Sequence, residues 1–204
     1  MTTRKNVFIK TIELLCSMLP ALFWGLMIFG FEEVSTAIAT LLSALIHECG
    51  HIAYILFFDK SSFGFKGVLS GFRIKAHAPI SYDEEIGRYL AGPMANIITF
   101  VIAVLLGKIA GNFFVTLAAI SLATAISNLL PIRGYDGYGI IRAIIEKREI
   151  CSLAIKALGW VSSSLIFTLC ILSLYLIDRH GGGYWIFAVF FISMIKEFAE
   201  GLGE

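Results

Sequence analysis

The chain has 204 residues, of which 58% are hydrophobic and only 15% are charged, and its mean hydropathy is +0.84. A soluble domain of this length would not carry that balance, so the composition excludes a soluble globular protein and indicates a polytopic membrane protein. The net charge of +1 gives no reason to expect a nucleic-acid partner.

Six apolar segments approach the ~20 residues that a helix needs to cross ~30 Å of hydrocarbon. They are residues 11–30, 34–58, 87–110, 113–130, 152–177 and 184–199. The first follows a basic tail and resembles a signal peptide. It contains Glu13 and has the length of a full span, so we interpret it as a retained transmembrane helix. The sequence therefore predicts an all-α polytopic membrane protein with about six transmembrane helices.

The basic residues predict how these helices are oriented. All Lys and Arg residues except Lys108 and Arg179 fall on one side of the six-span arrangement. Lys and Arg are in excess on the cytoplasmic side of membrane proteins. We therefore expect a multi-pass protein with both termini and the two long loops in the cytoplasm. The membrane is expected to be that of a prokaryotic cell.

The longest polar stretch, residues 59–88, follows the second span. Residues 72–78 alternate between apolar and polar side chains, which is the period of a β-strand. Gly64, Gly67 and Gly71 precede them, as turn residues would. We predict a small membrane-associated β-hairpin at 63–80 on the cytoplasmic face, and the alternative is an irregular basic loop.

The second span contains the sequence His47-Glu48-Cys49-Gly50-His51. On a helix the two histidines lie one turn apart on one face, with Glu48 beside them. Ionisable groups at membrane depth are costly and usually functional. The spacing is that of two zinc ligands and a general base. Cys49, two residues from His47, falls on the other side of the helix, and we do not expect it to be a ligand.

A catalytic zinc site needs a third protein ligand and an open position for water. His180 is expected on the far side of the membrane, and His77 on the solvated face of the hairpin. Asp136 stands out among the carboxylates, because Pro131 and Gly134 end the fourth span just before it and let the chain turn back.

A third feature lies in span three, Ala91-Gly92-Pro93-Met94-Ala95-Asn96. We expect Gly92 and Pro93 to break or thin the helix, and Asn96 adds a polar group at membrane depth. Irregular backbone is tolerated there only where protein or a water-filled cavity lines it. The alternative is an ordinary kinked helix with small residues for close packing.

These motifs occur in the order found in site-2 proteases, the intramembrane zinc metalloproteases, and the chain resembles that family over residues 34–145. The matching segments are His47-Glu-Cys-Gly-His51, Ala91-Gly-Pro-x-x-Asn96 and Asn128-x-x-Pro followed by Asp136-Gly137. The layout looks most like the branch that contains the stage IV sporulation membrane protease.

The resemblance implies a role for each site residue. His47, His51 and Asp136 would bind one Zn²⁺ per chain, and Glu48 would be the catalytic base. Asn128 would orient the substrate or stabilise the oxyanion, and the hairpin would guide an extended substrate segment. The implied organisation is a single membrane-embedded protease domain over 1–204, with core spans in 34–145 and accessory spans at 8–30, 152–177 and 184–199.

The sequence also departs from the family pattern. Gly134 stands where many members have a second proline, so we expect a less rigid loop before Asp136. We find no PDZ-like insertion and expect the C-terminal CBS domain of the sporulation branch to be lacking.

The predicted activity is metalloendopeptidase cleavage of a peptide bond in or near a transmembrane segment of a membrane-associated protein. The expected partners are that substrate, the lipid bilayer and regulatory membrane proteins.

Two alternatives stay open. One is a membrane zinc protease of another family, with Glu146 or Glu149 as the third ligand. The other is a non-enzymatic transporter, in which broken helices and buried polar residues also form sites.

Overall fold

A computed structural model describes residue 30 and residues 33–59, 63–68, 71–76, 81–180 and 184–201. Within these ranges it contains six helices and two strands. They are α1 (Val34–Tyr54), β1 (Phe63–Val68), β2 (Gly71–Ala76), α2 (Tyr82–Ala110), α3 (Asn112–Asn128), α4 (Asp136–Lys147), α5 (Ser152–His180) and α6 (Tyr184–Gly201). A π-helical turn, Ile55–Asp59, continues α1.

Three of the described helical segments are long and apolar enough to cross a membrane, namely Val34–Phe57, Tyr82–Ala110 and Ser152–Arg179. Two apolar segments are shorter, Asn112–Asn128 and Ile186–Ile195. The molecule is thus built as a helical integral membrane protein. The segment predicted as the first span lies, apart from residue 30, outside the described residues, and the count of six spans stays a prediction.

Helix α1 packs against α2 and α3 through a stripe of small and polar residues at four-residue spacing. Ala39, Ser43, His47 and His51 are all buried on this face. Small side chains let neighbouring helices approach closely inside a membrane. The helix therefore turns its two histidines into the bundle, while Cys49 lies on the exposed side of the helix.

Helix α2 begins five residues before the predicted span because Ser81 and Glu84 form a capping box. The Ser81 hydroxyl accepts a hydrogen bond from the Glu84 backbone N–H at 3.3 Å. The Glu84 carboxylate accepts one from the Ser81 N–H at 2.9 Å. This reciprocal arrangement satisfies N–H groups that a helix start leaves unpaired.

The expectation that Gly92 and Pro93 break the helix is wrong, because α2 continues without interruption from Tyr82 to Ala110. Pro93 is buried and lacks the N–H that would bond to the carbonyl of residue 89. In a membrane protein, groups on neighbouring helices can satisfy the backbone carbonyl that a proline leaves without a partner.

Strands β1 and β2 pair antiparallel, with Phe63 opposite Ala76 and Val68 opposite Gly71. Both strands lie inside the range 63–80, and residues 69–70 and 77–80 of that range lie outside the described residues. The placement of this pair at the membrane surface and its use in guiding substrate stay predictions.

The chain turns sharply twice to bring α2, α3 and α4 together. Gly111, between α2 and α3, has φ +99°, and Gly134, just before α4, has φ +87°. Both values lie in the left-handed region that glycine adopts without a steric penalty. Helix α4 is not among the elements that the sequence predicts. It packs against α2 and α5 and so places its N-terminal residue, Asp136, inside the bundle.

We expect Gly50→Ala to destabilise the fold. A Cβ at Gly50 would lie 2.8 Å from the Ala95 Cβ and would also meet the Ala91 carbonyl oxygen. Such overpacking typically costs ~1–3 kcal/mol, which outweighs the ~1 kcal/mol that alanine gains in helix propensity. Thermal unfolding in detergent should show a lower midpoint for Gly50→Ala than for the exposed control Cys49→Ala. Equal midpoints for the two variants would contradict the close contact of α1 with α2.

Candidate metal centre

Three side chains from two distant parts of the chain meet inside the bundle. His47 and His51 come from the buried face of α1, and Asp136 comes from the first turn of α4. Among the described residues these three form the group of His, Cys, Asp and Glu side chains that is compact enough to hold a metal ion. The structure therefore brings together the three residues that the sequence selects as ligands.

The three candidate ligand atoms lie at nearly equal distances from one another. His47 Nε2 is 3.1 Å from Asp136 Oδ2, and His51 Nε2 is 3.4 Å from the same oxygen. The two Nε2 atoms are 3.2 Å apart. A tetrahedral zinc site with bonds of ~2.0–2.1 Å has edges of about 3.3 Å, so the triangle has the size that zinc requires.

The hydrogen bonding of Asp136 supports the same interpretation. Its Oδ2 is buried and has no hydrogen-bond partner of acceptable direction within the described part of the chain, although both imidazoles are near. A buried carboxylate oxygen without a partner is unfavourable and needs an explanation. A cation between the three atoms supplies one, and three protein ligands leave the fourth position open, as a catalytic site needs.

The Arg88 backbone fixes the orientation of His51. The Nδ1–H of His51 donates a hydrogen bond to the Arg88 carbonyl oxygen at 2.7 Å. The proton is then on Nδ1, and Nε2 keeps the lone pair that a metal ion needs. Metal-binding histidines usually have this second hydrogen bond, which sets the tautomer and the ring plane.

Asn96 takes the corresponding place at His47. Its side-chain amide lies 3.3 Å from His47 Nδ1 and is fully buried. The amide oxygen has no partner in the described part of the chain. With the amide turned by half a rotation, this oxygen would accept the Nδ1–H of His47, which gives the oxygen a partner and leaves Nε2 for the metal.

Gly92 provides the space for both rings. A Cβ at this position would collide with His51 Nε2 and would lie 2.8 Å from His47 Cε1. Arg88, Gly92 and Asn96 follow at four-residue spacing and so share one face of α2. The sequence singles out Gly92 and Asn96 but not Arg88, because its contribution is a backbone carbonyl.

Gly137 allows the start of α4 to pack closely against the loop that precedes it. A Cβ at Gly137 would collide with the carbonyl of Leu129 at the end of α3. The first turn of α4 therefore packs directly on the preceding loop, and this packing brings the Asp136 carboxylate to α1.

The remaining predicted residues lie near this centre or away from it. Glu48 is partly buried beside His47 and interacts electrostatically with both histidines and with Asp136. Asn128 is partly buried, and its amide N–H₂ donates to the Thr124 carbonyl at 2.9 Å. Glu146 pairs with Arg142 on the exposed side of α4, at 2.8 Å, and does not join the three candidate ligands.

Comparison with known proteins identifies the fold. No family model matches the sequence, and no curated protein matches it. The structure is similar to that of the site-2 protease from Methanocaldococcus jannaschii, with a TM-score of 0.64 and 18% sequence identity. The likeness covers 90% of this chain and 87% of that one. The chain therefore has the fold of a site-2 protease.

We expect Asp136→Ala to remove zinc from the purified protein. The loss of affinity should exceed the ~10–100-fold that follows loss of a ligand's hydrogen-bond partner, because a ligand itself is removed. Metal content after dialysis against a weak chelator measures this. Glu146→Ala on the same helix is the control and should keep about one zinc per chain. If Glu146→Ala loses the metal and Asp136→Ala keeps it, Glu146 is the third ligand.

We expect Asn96→Leu to weaken zinc binding by ~10–100-fold, because His47 then loses the partner that sets its tautomer. Asn96→Asp should bind better than Asn96→Leu, since a carboxylate oxygen can accept the Nδ1–H. Competition with a fluorescent zinc chelator measures the affinities, with Met94→Leu on the exposed face of α2 as control. Zinc affinity of Asn96→Leu within twofold of the parent would exclude this role for Asn96.

Proposed function

We propose that the chain is an intramembrane zinc metalloprotease that hydrolyses a peptide bond in or near a transmembrane segment of a membrane-associated protein. The observation that carries this proposal is the buried cluster of His47, His51 and Asp136 with Glu48 beside it. Such a cluster is costly within membrane helices unless it has a function. The site-2 protease fold supports the proposal independently of these residues.

The residues present fit a zinc ion in number, chemical type and spacing. A zinc ion held by His47, His51 and Asp136 would supply a Lewis acid that lowers the pKa of a water molecule and polarises a carbonyl group. The Arg88 carbonyl and the Asn96 amide would hold the two imidazoles in place, so that little reorganisation accompanies the reaction.

Glu48 is the proton carrier in this proposal. It follows His47 directly, on the helix face beside the cluster, and has no ion-pair partner among the described Lys and Arg residues. Its carboxylate would take a proton from the attacking water and then deliver it to the nitrogen of the leaving amine. This proton transfer balances the reaction, because the water supplies one hydrogen to each product.

The substrate must present an extended backbone, because a helical transmembrane segment hides its amide groups in its own hydrogen bonds. We propose that the substrate segment adds as a strand to the paired strands β1 and β2. In the described part of the chain neither strand pairs with a third. Asn128 would orient the substrate backbone, since none of its described hydrogen bonds uses its amide oxygen.

The distribution of basic residues supports a cytoplasmic opening of the site and cytoplasmic termini. In this arrangement water reaches the cluster by the short route from the cytoplasm. We propose a prokaryotic cell membrane as the location, and regulatory membrane proteins as further partners.

The two alternatives are less well supported. A zinc protease with a glutamate as third ligand needs Glu146 or Glu149 at the histidines. Glu146 is engaged by Arg142 instead, and Asp136 occupies that place. A transporter has no need for a base beside three metal ligands, and flux in proteoliposomes without peptidase activity would be its signature.

We expect Glu48→Gln to abolish cleavage and to retain zinc. General acid–base catalysis contributes ~10²–10⁴-fold to the rate, so the rate constant for cleavage should fall at least ~10²-fold. The assay uses labelled single-span proteins reconstituted with the purified protein, and gels resolve their fragments. The exposed neighbour Cys49→Ala serves as control.

Cleavage by Glu48→Gln at the parent rate would refute this mechanism. If the variant is inactive, it should trap natural substrates in membranes, and the proteins that accumulate with it can be identified. That experiment also tests the substrate class, since soluble proteins alone would contradict it.

A further inference from the structure

We propose that Arg133 and Glu197 form a positioning pair that holds the loop carrying Asp136 against α5 and α6. The loop, residues 129–135, connects α3 with α4. The inference rests on the proposed function only in that it takes Asp136 to be a metal ligand. Its consequence is that zinc affinity depends on α6, although no described residue of α6 belongs to the candidate metal centre.

The pair is buried at the centre of a small polar network. Arg133 Nε lies 3.6 Å from Glu197 Oε1, and the side chains are only 18% and 6% exposed. The hydroxyl of Ser163, on α5, donates a hydrogen bond to the same oxygen at 3.0 Å. A carboxylate in this apolar surrounding is unfavourable without such partners, so removal of Arg133 would leave an uncompensated buried charge.

Helix α5 is shaped to receive the arginine. The backbone N–H of Arg133 donates to the hydroxyl of Ser162 at 2.8 Å, and Ser162 is fully buried. One turn earlier, a Cβ at Gly159 would lie 2.7 Å from Arg133 Nη2. Gly159, Ser162 and Ser163 lie three and four residues apart, on one face of the helix. Together they form a notch in α5 that fits both the backbone and the side chain of Arg133.

A second contact ties the loop to α6. The side chain of Tyr135 lies close to that of Ser193 on α6. Ser193 precedes Glu197 by one helical turn, so α6 binds the loop at two points on the same face. Tyr135 is the residue directly before Asp136, which places this contact next to the carboxylate.

The conformation of Gly134 explains why the loop needs outside support. Its φ of +87° excludes proline, whose ring fixes φ near −65°. The rigidity that a proline would give is therefore not accessible to this chain in this conformation. The contacts of Arg133 and Tyr135, on either side of Gly134, restrain the loop instead.

Accurate placement matters because the three candidate ligand atoms are only 3.1–3.4 Å apart. Metal ligands lose much of their affinity when they must first be ordered. Coupling of this kind is reciprocal, so bound zinc should also strengthen the docking of α6 on the loop.

The test measures the zinc affinity of purified variants by competition with a chelator. It also records the absorption spectrum of the same proteins with cobalt in place of zinc. We expect Arg133→Met and Glu197→Gln each to weaken zinc binding by ~10–100-fold and to alter the cobalt spectrum. Arg133→Lys should recover part of the affinity, because it restores the charge. The double variant should lose less than the product of the two single losses, because the residues act as one pair.

Arg142→Met and Glu146→Gln are the matched controls, since these residues form an arginine–glutamate pair on the more exposed side of α4. Both should bind zinc like the parent. Glu197→Gln keeps the shape of the side chain and can accept from Ser163, so it serves as the test if Arg133→Met does not fold.

Zinc affinity of Glu197→Gln within twofold of the parent, with the parent cobalt spectrum, overturns the positioning role. That result would leave the proposed protease function intact, because it concerns only α6. In contrast, a parent that binds zinc tightly but cleaves no membrane protein contradicts the protease function and leaves the positioning pair standing. A parent without zinc affinity contradicts both.

Discussion

The close approach of α2 to the two imidazoles at Gly92 is the constraint on which the rest of the structure depends. No side chain fits between this residue and the rings of His47 and His51. Because the helices touch there, the Arg88 carbonyl and the Asn96 amide can reach the Nδ1 atoms from one turn on either side. Any larger residue at Gly92 would separate the helices and release both imidazoles at once.

Two networks of polar groups among the described residues meet at Asp136. One joins α1 and α2 through the histidines and their partners, and the other joins the 129–135 loop to α5 and α6 through Arg133. Asp136 lies where they meet. A partly satisfied buried network is less stable than an apolar core, whereas a complete one specifies a single arrangement. The helices that these networks join are therefore held by polar contacts as well as by apolar packing.

The sequence predicts part of this arrangement for clear physical reasons. Four-residue spacing places His47 and His51 on one helix face, whatever the tertiary structure. Asp136 could be selected because few carboxylates lie near a helix end at suitable depth, and because of the family resemblance. The chain's departure at Gly134 is visible in the sequence, but only the structure gives the φ that makes proline unsuitable there.

Other parts could not be read from the residues. The contribution of Arg88 is a backbone carbonyl, which every residue type has. Gly92 and Pro93 suggest an interruption, because the sequence does not distinguish a glycine that breaks a helix from one that makes room for a neighbour. Helix α4 has Ile140, Ile141, Ile144 and Ile145 at helical spacing, but its 12 residues are too few and too charged to stand out as a membrane span. The pairing of Arg133 with Glu197 joins positions far apart in the chain, so a local sequence pattern cannot indicate it.

The separation of the candidate ligands along the chain has a consequence for how the protein is made. Synthesis begins at the N-terminus, so α1 enters the membrane with its two histidines well before the ribosome reaches Asp136. At that stage the nascent chain has the two imidazoles and Glu48 but lacks the third candidate ligand. The site is completed only after α2, α3 and the start of α4 have been inserted and packed. A translation product that stops before α4 carries the most recognisable motif of the sequence and remains chemically incomplete.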